Sequence, residues 1–376
     1  MLDLNDPFAV LKKFYIDFGY HKIVKSCNTF FITLYSLAYA LQIYYLIYHF
    51  TPDIIQKYSL ALLMSIYLLS TLIFSAVYEK TILQTYDMFI RVAWPHTNVS
   101  QKLETIIQKR VTIIKILNNF FVSAICVMCV FNMPLFGDQS DFLLSIQVFG
   151  EYFGDWSFIP SFFYYLGFSI LGYNAARMLF ILLYGVLHLE VQILLINELV
   201  SKFSEINTLD DFGNEEYQSC VYTILCDCIT HDVVLKKIMS DLSRKVQNGI
   251  PIFLIVLLFC LISLFFFTLT YMGTLSFIMQ FRMVAFLLTI IVVIFSYSMV
   301  GQHLLNQASL LFDELLKCPW YVWSTNNHKI YQIFLLNSIR PIKIIYAGVC
   351  LDGGFFLSMT RITFCNAYML KQLRDS

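Results

Sequence analysis

Seven apolar runs divide this 376-residue chain: Thr29–Tyr48, Tyr58–Tyr78, Ile116–Phe136, Ser161–Leu187, Ile250–Met272, Met283–His303 and Gly353–Leu370. A bilayer core of about 30 Å needs about 20 mostly apolar residues in helical form. Inside lipid only helices and closed barrels leave no backbone group unpaired. Six runs meet that length; the seventh is shorter and carries Arg361. Breaks fall at the run ends, at Pro52, Pro134 with Gly137, Pro160, Pro251, Pro319 and Pro341. The pattern predicts an all-α polytopic membrane protein with seven transmembrane helices. Composition agrees: hydrophobic residues are 59% and charged residues 13% of the chain, where soluble domains carry about 25% charge. Lys plus Arg equals Asp plus Glu at 25 each. The chain has no basic patch to favour a nucleic acid.

The basic residues alternate between loops. Four precede the first run (Lys12, Lys13, Lys22, Lys25), six lie in the second loop, five in the fourth and four in the sixth, 19 in all. The other set holds four: Lys57, none in the third loop, Arg282 in the fifth, and Lys371 and Arg374 in the tail. The basic side of a membrane protein is cytoplasmic. The N-terminus is therefore expected inside and the C-terminus outside, the reverse of rhodopsin-like receptors. The first run is too long for a cleaved signal and reads as a signal anchor. The sequon Asn98-Val99-Ser100 falls in an expected cytoplasmic loop, where it would not be glycosylated.

Chemistry is sparse. Cys220, Cys226, Cys228 and Cys318 are expected on the reducing side of the membrane. Cys226-x-Cys228 with His231 lacks the second pair that structural zinc normally uses. Asp352 has no second intramembrane carboxylate with which to form an aspartyl dyad. His231-Asp232 has no nucleophile beside it. Neither an enzyme, a cofactor nor a metal site is expected.

The cytoplasmic half is too large for linkers alone. Tyr217–Val246 carries Val221, Leu225, Ile229, Val233, Ile238 and Leu242 at helical spacing, after acidic Asp210, Asp211, Glu215 and Glu216. Leu304–Leu316 and Trp320–Asn337 read as two further helices. Apolar faces outside a bilayer need a covering surface, either within the chain or on another subunit. Within the membrane, Arg177 and Arg361 each need water or a partner. The last run has a polar stripe, Ser358, Arg361, Cys365, Tyr368 and Gln372. A mostly apolar stripe, Phe355, Met359, Ile362, Met369 and Leu373, accompanies it.

The last quarter resembles the insect odorant receptor family. The residues that carry the resemblance are Gly301-Gln-His-Leu-Leu-Asn-Gln-Ala-Ser309, Asp313-Glu-Leu-Leu-Lys-Cys-Pro-Trp320 and Asn337-Ser-Ile-Arg-Pro341. A final span ending Thr363-Phe-Cys-Asn-Ala-Tyr-Met-Leu-Lys-Gln-Leu373 follows them. Thr363-Phe364 stands where many members have Ser-Tyr. The resemblance implies an odorant-gated cation channel in the plasma membrane of sensory neurons, with no G protein required. It implies a hetero-tetramer in which a tuning subunit joins the shared coreceptor, because the coreceptor's longer cytoplasmic insertion is missing. Related gustatory receptors, which act as homomers, are the alternative.

By that resemblance residues 1–303 form a six-helix ligand-binding bundle with cytoplasmic helical extensions (188–249). Residues 304–352 form anchor helices, and 353–376 a pore-lining helix with a short extracellular tail. Met369, Gln372 and Leu373 would form a constriction that gates by dewetting. The alternative register places Ala367, Leu370 and Lys371 there; the first is preferred because Met369 and Leu373 share a face. A volatile, mostly apolar odorant would sit in the outer half of the bundle. Its candidate contacts are Met64, Tyr67, Met128, Asn132, Tyr164, Phe168, Phe286 and Thr289, aromatic, thioether and small polar side chains suited to such a ligand.

Overall fold

The computed structural model describes residues 6–95, 100–131, 133, 143–205, 214–273, 276–346 and 348–375. Asn98, Asn132, Pro134, Gly137, Asp210 and Asp211 lie outside the described residues. Helices dominate. A short turn α1 (Ala9–Leu11) and a π-helical stretch (Lys12–Asp17) lead into α2 (Lys22–Tyr48), α3 (Pro52–Val77), α4 (Glu79–Val92) and α5 (Gln101–Phe131). Then come α6 (Leu144–Phe153), α7 (Phe158–Glu205), α8 (Glu215–Val246), α9 (Gly249–Tyr271) and α10 (Phe277–Lys317). Last are α11 (Thr325–Ser338), a two-stranded hairpin (β1 Ile345–Tyr346, β2 Val349–Cys350) and α12 (Gly353–Asp375).

Helix starts follow local capping chemistry. The Thr51 hydroxyl accepts from the Ile54 amide ahead of Pro52 in the first turn of α3. Asn214 accepts from the Glu216 and Tyr217 amides at 3.0 and 3.2 Å. Glu215 and Glu216 open α8 and Arg244 and Lys245 close it, each opposite in sign to the helix end it sits on. Among the described residues six helices are long and apolar enough to cross a membrane: α2, α3, α5, α7, α9 and α10. Their flanks leave Leu37, Ile47, Val77, Ile116, Ile252 and Leu288 exposed. That exposure costs little in lipid and much in water. The seventh run is helical too, as α12, but more polar than the other six.

Two helices run further than their apolar stretches. No helix breaker stands between His303 and Lys317, so the expected Leu304–Leu316 helix is the end of α10 rather than a separate element. α10 stops at Cys318, held extended before Pro319. The second expected helix of that loop begins at Thr325, after a single 3₁₀ turn over Trp320–Val322. Likewise α7 continues well past Leu187. Arg282, expected in the fifth loop, lies instead in the second turn of α10 and is 5% exposed.

α7 is the central post, with α10, α3 and α5 along it; α9 joins α3 to α12. The ends of α7 and α10, together with α8 and α11, define the basal end of the bundle; α6 and the start of α7 lie at the apical end. The N-terminal segment lies along α7. The buried Arg177 guanidinium donates from Nε to the Tyr15 carbonyl at 2.9 Å and stacks 3.8 Å from the Tyr20 ring centroid. A Cβ on Gly19 would collide with that guanidinium.

At the basal end α8 and α11 pack together. Gln218 accepts from the Ser324 amide at 2.8 Å and donates to the Val322 carbonyl. Asp232, nearly fully buried, pairs with Lys236 at 2.7 Å and accepts from Asn337 at 2.7 Å. Trp323 packs edge-on against Phe203 and Tyr331. The apolar stripe of α8 is thus covered largely within the chain. On α11, Ile333 and Leu336 remain exposed, as does Ile339 just past its end.

Candidate functional site

The bundle holds a cavity of about 390 Å³, bounded by α3, α5, α7, α9 and α10 and reaching α4 and α8 at the basal end. Small-molecule sites typically run about 300–1,000 Å³. The space exists because α7 turns small residues toward it: Gly172, Ala175, Ala176 and Gly185 all line the wall. A Cβ on Gly172 would lie 3.1 Å from Ile125, and one on Gly185 would meet nothing within 4 Å. The lining is apolar and aromatic, with few polar groups. Among these, Thr289 and Ser65 donate to carbonyls of their own helices, Ala285 at 2.7 Å and Ala61 at 2.8 Å. Their oxygens keep lone pairs that a bound hydroxyl could use.

Of the sequence candidates, Met64, Tyr67, Phe168, Phe286 and Thr289 line this cavity together. Met64 Sδ lies 3.2 Å from the Cys260 thiol, and the Tyr67 ring packs on Phe253 at 5.3 Å. Tyr164 stands behind the wall. It is 1% exposed, packs on Tyr35 and Phe168, and its hydroxyl reaches the Ser65 hydroxyl at 3.5 Å. Met128 falls on α5, one residue from the lining Cys129. Asn132 is outside the described residues. Sequence reasoning missed Phe253, Leu257 and Ile290, which look like any apolar helix residue until the helices are assembled.

The cavity wall also includes Leu351 and Phe355, at the base of α12. That base is held by Gly301 and Gln302 of α10. A Cβ on Gly301 would strike the Leu351 carbonyl oxygen, so only glycine lets the two backbones approach. Gln302 Oε1 accepts from the Gly353 amide at 3.1 Å, and Asp352 Oδ1 from the Phe355 amide at 3.0 Å. Asp352 is thus the cap of α12, which explains an aspartate at that position without any catalytic role. His303 Nδ1 lies 3.3 Å from Arg110, whose guanidinium pairs with buried Glu190 at 3.1 Å.

α12 docks through one narrow stripe: Phe355, Met359, Thr363 and Ala367 are buried, against α9 and α10. The expected division into a polar and an apolar face is therefore redrawn. Phe355 and Met359 face the bundle, whereas Ile362, Met369 and Leu373 face away with Arg361 and Gln372. Met369 is 58% and Leu373 63% exposed; Ala367, of the alternative register, is 0% exposed. At the apical end Arg374 stacks on Tyr271 at 4.9 Å, so α12 and α9 finish side by side.

His231 sits in a separate basal cluster. Its ring stacks on Trp94 at 4.1 Å, and Gln192 Oε1 accepts from both the Trp94 amide (2.8 Å) and His231 Nε2 (2.9 Å). Burial pushes the imidazole down from its usual value to about 4, so it is neutral near pH 7. Among the described residues no three metal-ligating side chains converge.

Apolar membrane-length helices around an internal cavity, with a polar last helix, define a multi-pass helical membrane protein. The family described as 7tm Odorant receptor matches residues 53–364, and the chain belongs to that family. Its fold is similar to that of the insect olfactory receptor OR5 from Machilis hrabei. The TM-score is 0.64 at 12% identity, over 94% of this chain and 90% of that one. For the same receptor in complex with eugenol the TM-score is 0.59 at 13% identity, over 94% and 91%. No curated protein sequence matches the chain.

Proposed function

We propose that this chain is the ligand-binding, tuning subunit of an odorant-gated cation channel. A small, mostly apolar volatile occupies the cavity between α3, α5, α7 and α10. The observation that carries the reading is the continuity of that cavity with Leu351 and Phe355, which tie it to the base of α12. A ligand that fits the open arrangement better than the closed one shifts the population by that difference in affinity. Its contact with Phe355 gives it a direct hold on the last helix.

The exposed flank of α12 supports a pore role. Arg361, Asn366 and Gln372 all face away from the bundle. A charge facing hydrocarbon is costly, so these groups require water or a neighbouring subunit. Copies of α12 around an axis provide both, with Met369, Gln372 and Leu373 at the constriction. The exposed Ile333 and Leu336 of α11, with Ile339 just past its end, offer a basal face for the coreceptor in a hetero-tetramer. In this arrangement the basal end is cytoplasmic, residues 304–352 anchor the assembly, and the C-terminus is extracellular. The membrane is the plasma membrane of sensory neurons, and no G protein takes part.

Currents recorded in cells expressing the chain with the shared coreceptor, across a volatile panel, test the proposal. Odorant-evoked current only when both are present is expected. Current from the chain alone would favour a homomeric channel, and none in either case would reject the reading. Tyr67→Ala and Phe286→Ala should each raise the half-maximal concentration about tenfold, as loss of a large apolar contact of about 1–2 kcal/mol requires.

A further inference from the structure

The outer α10 face of the cavity continues into a buried charge. Phe286, Thr289, Ile290 and Val293 line the wall. Arg282 precedes Phe286 by one turn on the same face. Across from it, Tyr165 of α7 neighbours Arg282 and precedes the lining Phe168 by one turn. Neither lines the cavity itself; both stand one turn beyond its wall, on the apical side. Arg282 is 5% exposed, and among the described residues its Nε and Nη2 have no hydrogen-bond partner. Nη1 lies 4.0 Å from the Met279 sulfur, a weak acceptor.

A guanidinium stays charged in proteins, and one held away from water without a counter-charge is strongly unfavourable. Nε and Nη2 form one edge of its planar fork. That edge matches the two oxygens of a carboxylate, which accepts both hydrogen bonds side by side. A hydroxyl or an ester supplies one acceptor and no charge.

We propose that Arg282 forms a carboxylate subsite at the apical end of the cavity, so that the preferred ligands are apolar chains ending in an ionised acid. This rests on reading the cavity as the odorant site, and it narrows the ligand class.

Octanoate, methyl octanoate and 1-octanol share one apolar chain and differ at the head. Their binding to the purified full-length chain is read from the shift in thermal unfolding, and their currents from cells that also carry the coreceptor. Octanoate should bind the wild-type chain at a concentration about tenfold or more below the other two, the usual gain of a charge-assisted pair over a neutral one. Arg282→Gln should remove that preference and leave 1-octanol nearly unmoved. Arg282→Lys, which keeps the charge but not the fork, should fall between. Equal binding of the three compounds to the wild type overturns the subsite without recourse to any variant. So does an equal loss of all three in Arg282→Gln. Octanoate-selective binding without any current upholds the subsite and rejects the channel reading. Current with no preference for the acid does the reverse.

Discussion

Gly301 and Arg177 show how single positions decide packing in this bundle. Gly301 is the only residue type that lets the Leu351 carbonyl lie against α10. Gly301→Ala should destabilise the chain by about 1–3 kcal/mol, the usual cost of overpacking, and displace the base of α12. A lowered unfolding temperature together with a weakened ligand response would register both effects. Arg177 is held by a backbone carbonyl and an aromatic face supplied by residues 15–20, more than 150 positions away in sequence. Nothing near Arg177 in the chain announces those partners, which is why its environment was not legible beforehand.

His231 adds a pH effect at the same scale. Its folded value of about 4 lies below the ordinary 6.5, so the unfolded chain takes up the proton first as pH falls. This contribution is complete above about pH 6.5 and declines toward pH 4, with a limiting slope of about 1.4 kcal/mol per pH unit. Unfolding midpoints measured from pH 7 to 5 should fall less steeply in His231→Gln than in the wild type. Parallel curves would count against it.

At the level of elements, the α8–α11 pair is the basal core, and one buried ion pair pins it. Asp232→Ala leaves Lys236 and Asn337 without their shared acceptor and should cost about 3–5 kcal/mol. Thermal unfolding of the variant measures this directly. α8 was readable because its apolar residues recur at helical spacing after an acidic start, and the structure places it at Glu215–Val246. The join between the sixth apolar run and the basal segment was not readable. Hydropathy ends near His303, whereas the backbone has no reason to stop before Pro319. The burial of Arg282 was hidden for a related reason: charge counting assigns a cation to a loop, and only the packed bundle reveals that α10 starts before it.

For the whole molecule, seven apolar runs gave the architecture, and helix assembly gave what they could not. The cavity depends on which faces of α7 carry small residues, a pattern visible in sequence only once neighbours are known. Met64, Tyr67, Phe168, Phe286 and Thr289 converge on it because all sit on inward faces, while Tyr164 turns into the packing behind. α12 is the element left incomplete: one stripe is buried, and the remaining face mixes Arg361, Asn366 and Gln372 with Met369 and Leu373. In the proposed channel that face borders the ion path.

Cysteine substitution along α12 tests this most directly. Met369→Cys, Gln372→Cys and Leu373→Cys, each in a Cys365→Ser background and expressed with the coreceptor, would be exposed to a membrane-impermeant thiol reagent during odorant application. The account predicts irreversible block of the odorant current at these positions and none at the docked Ala367→Cys. Currents unaffected by reagent at all three exposed positions, with labelling of the protein demonstrated, would contradict it.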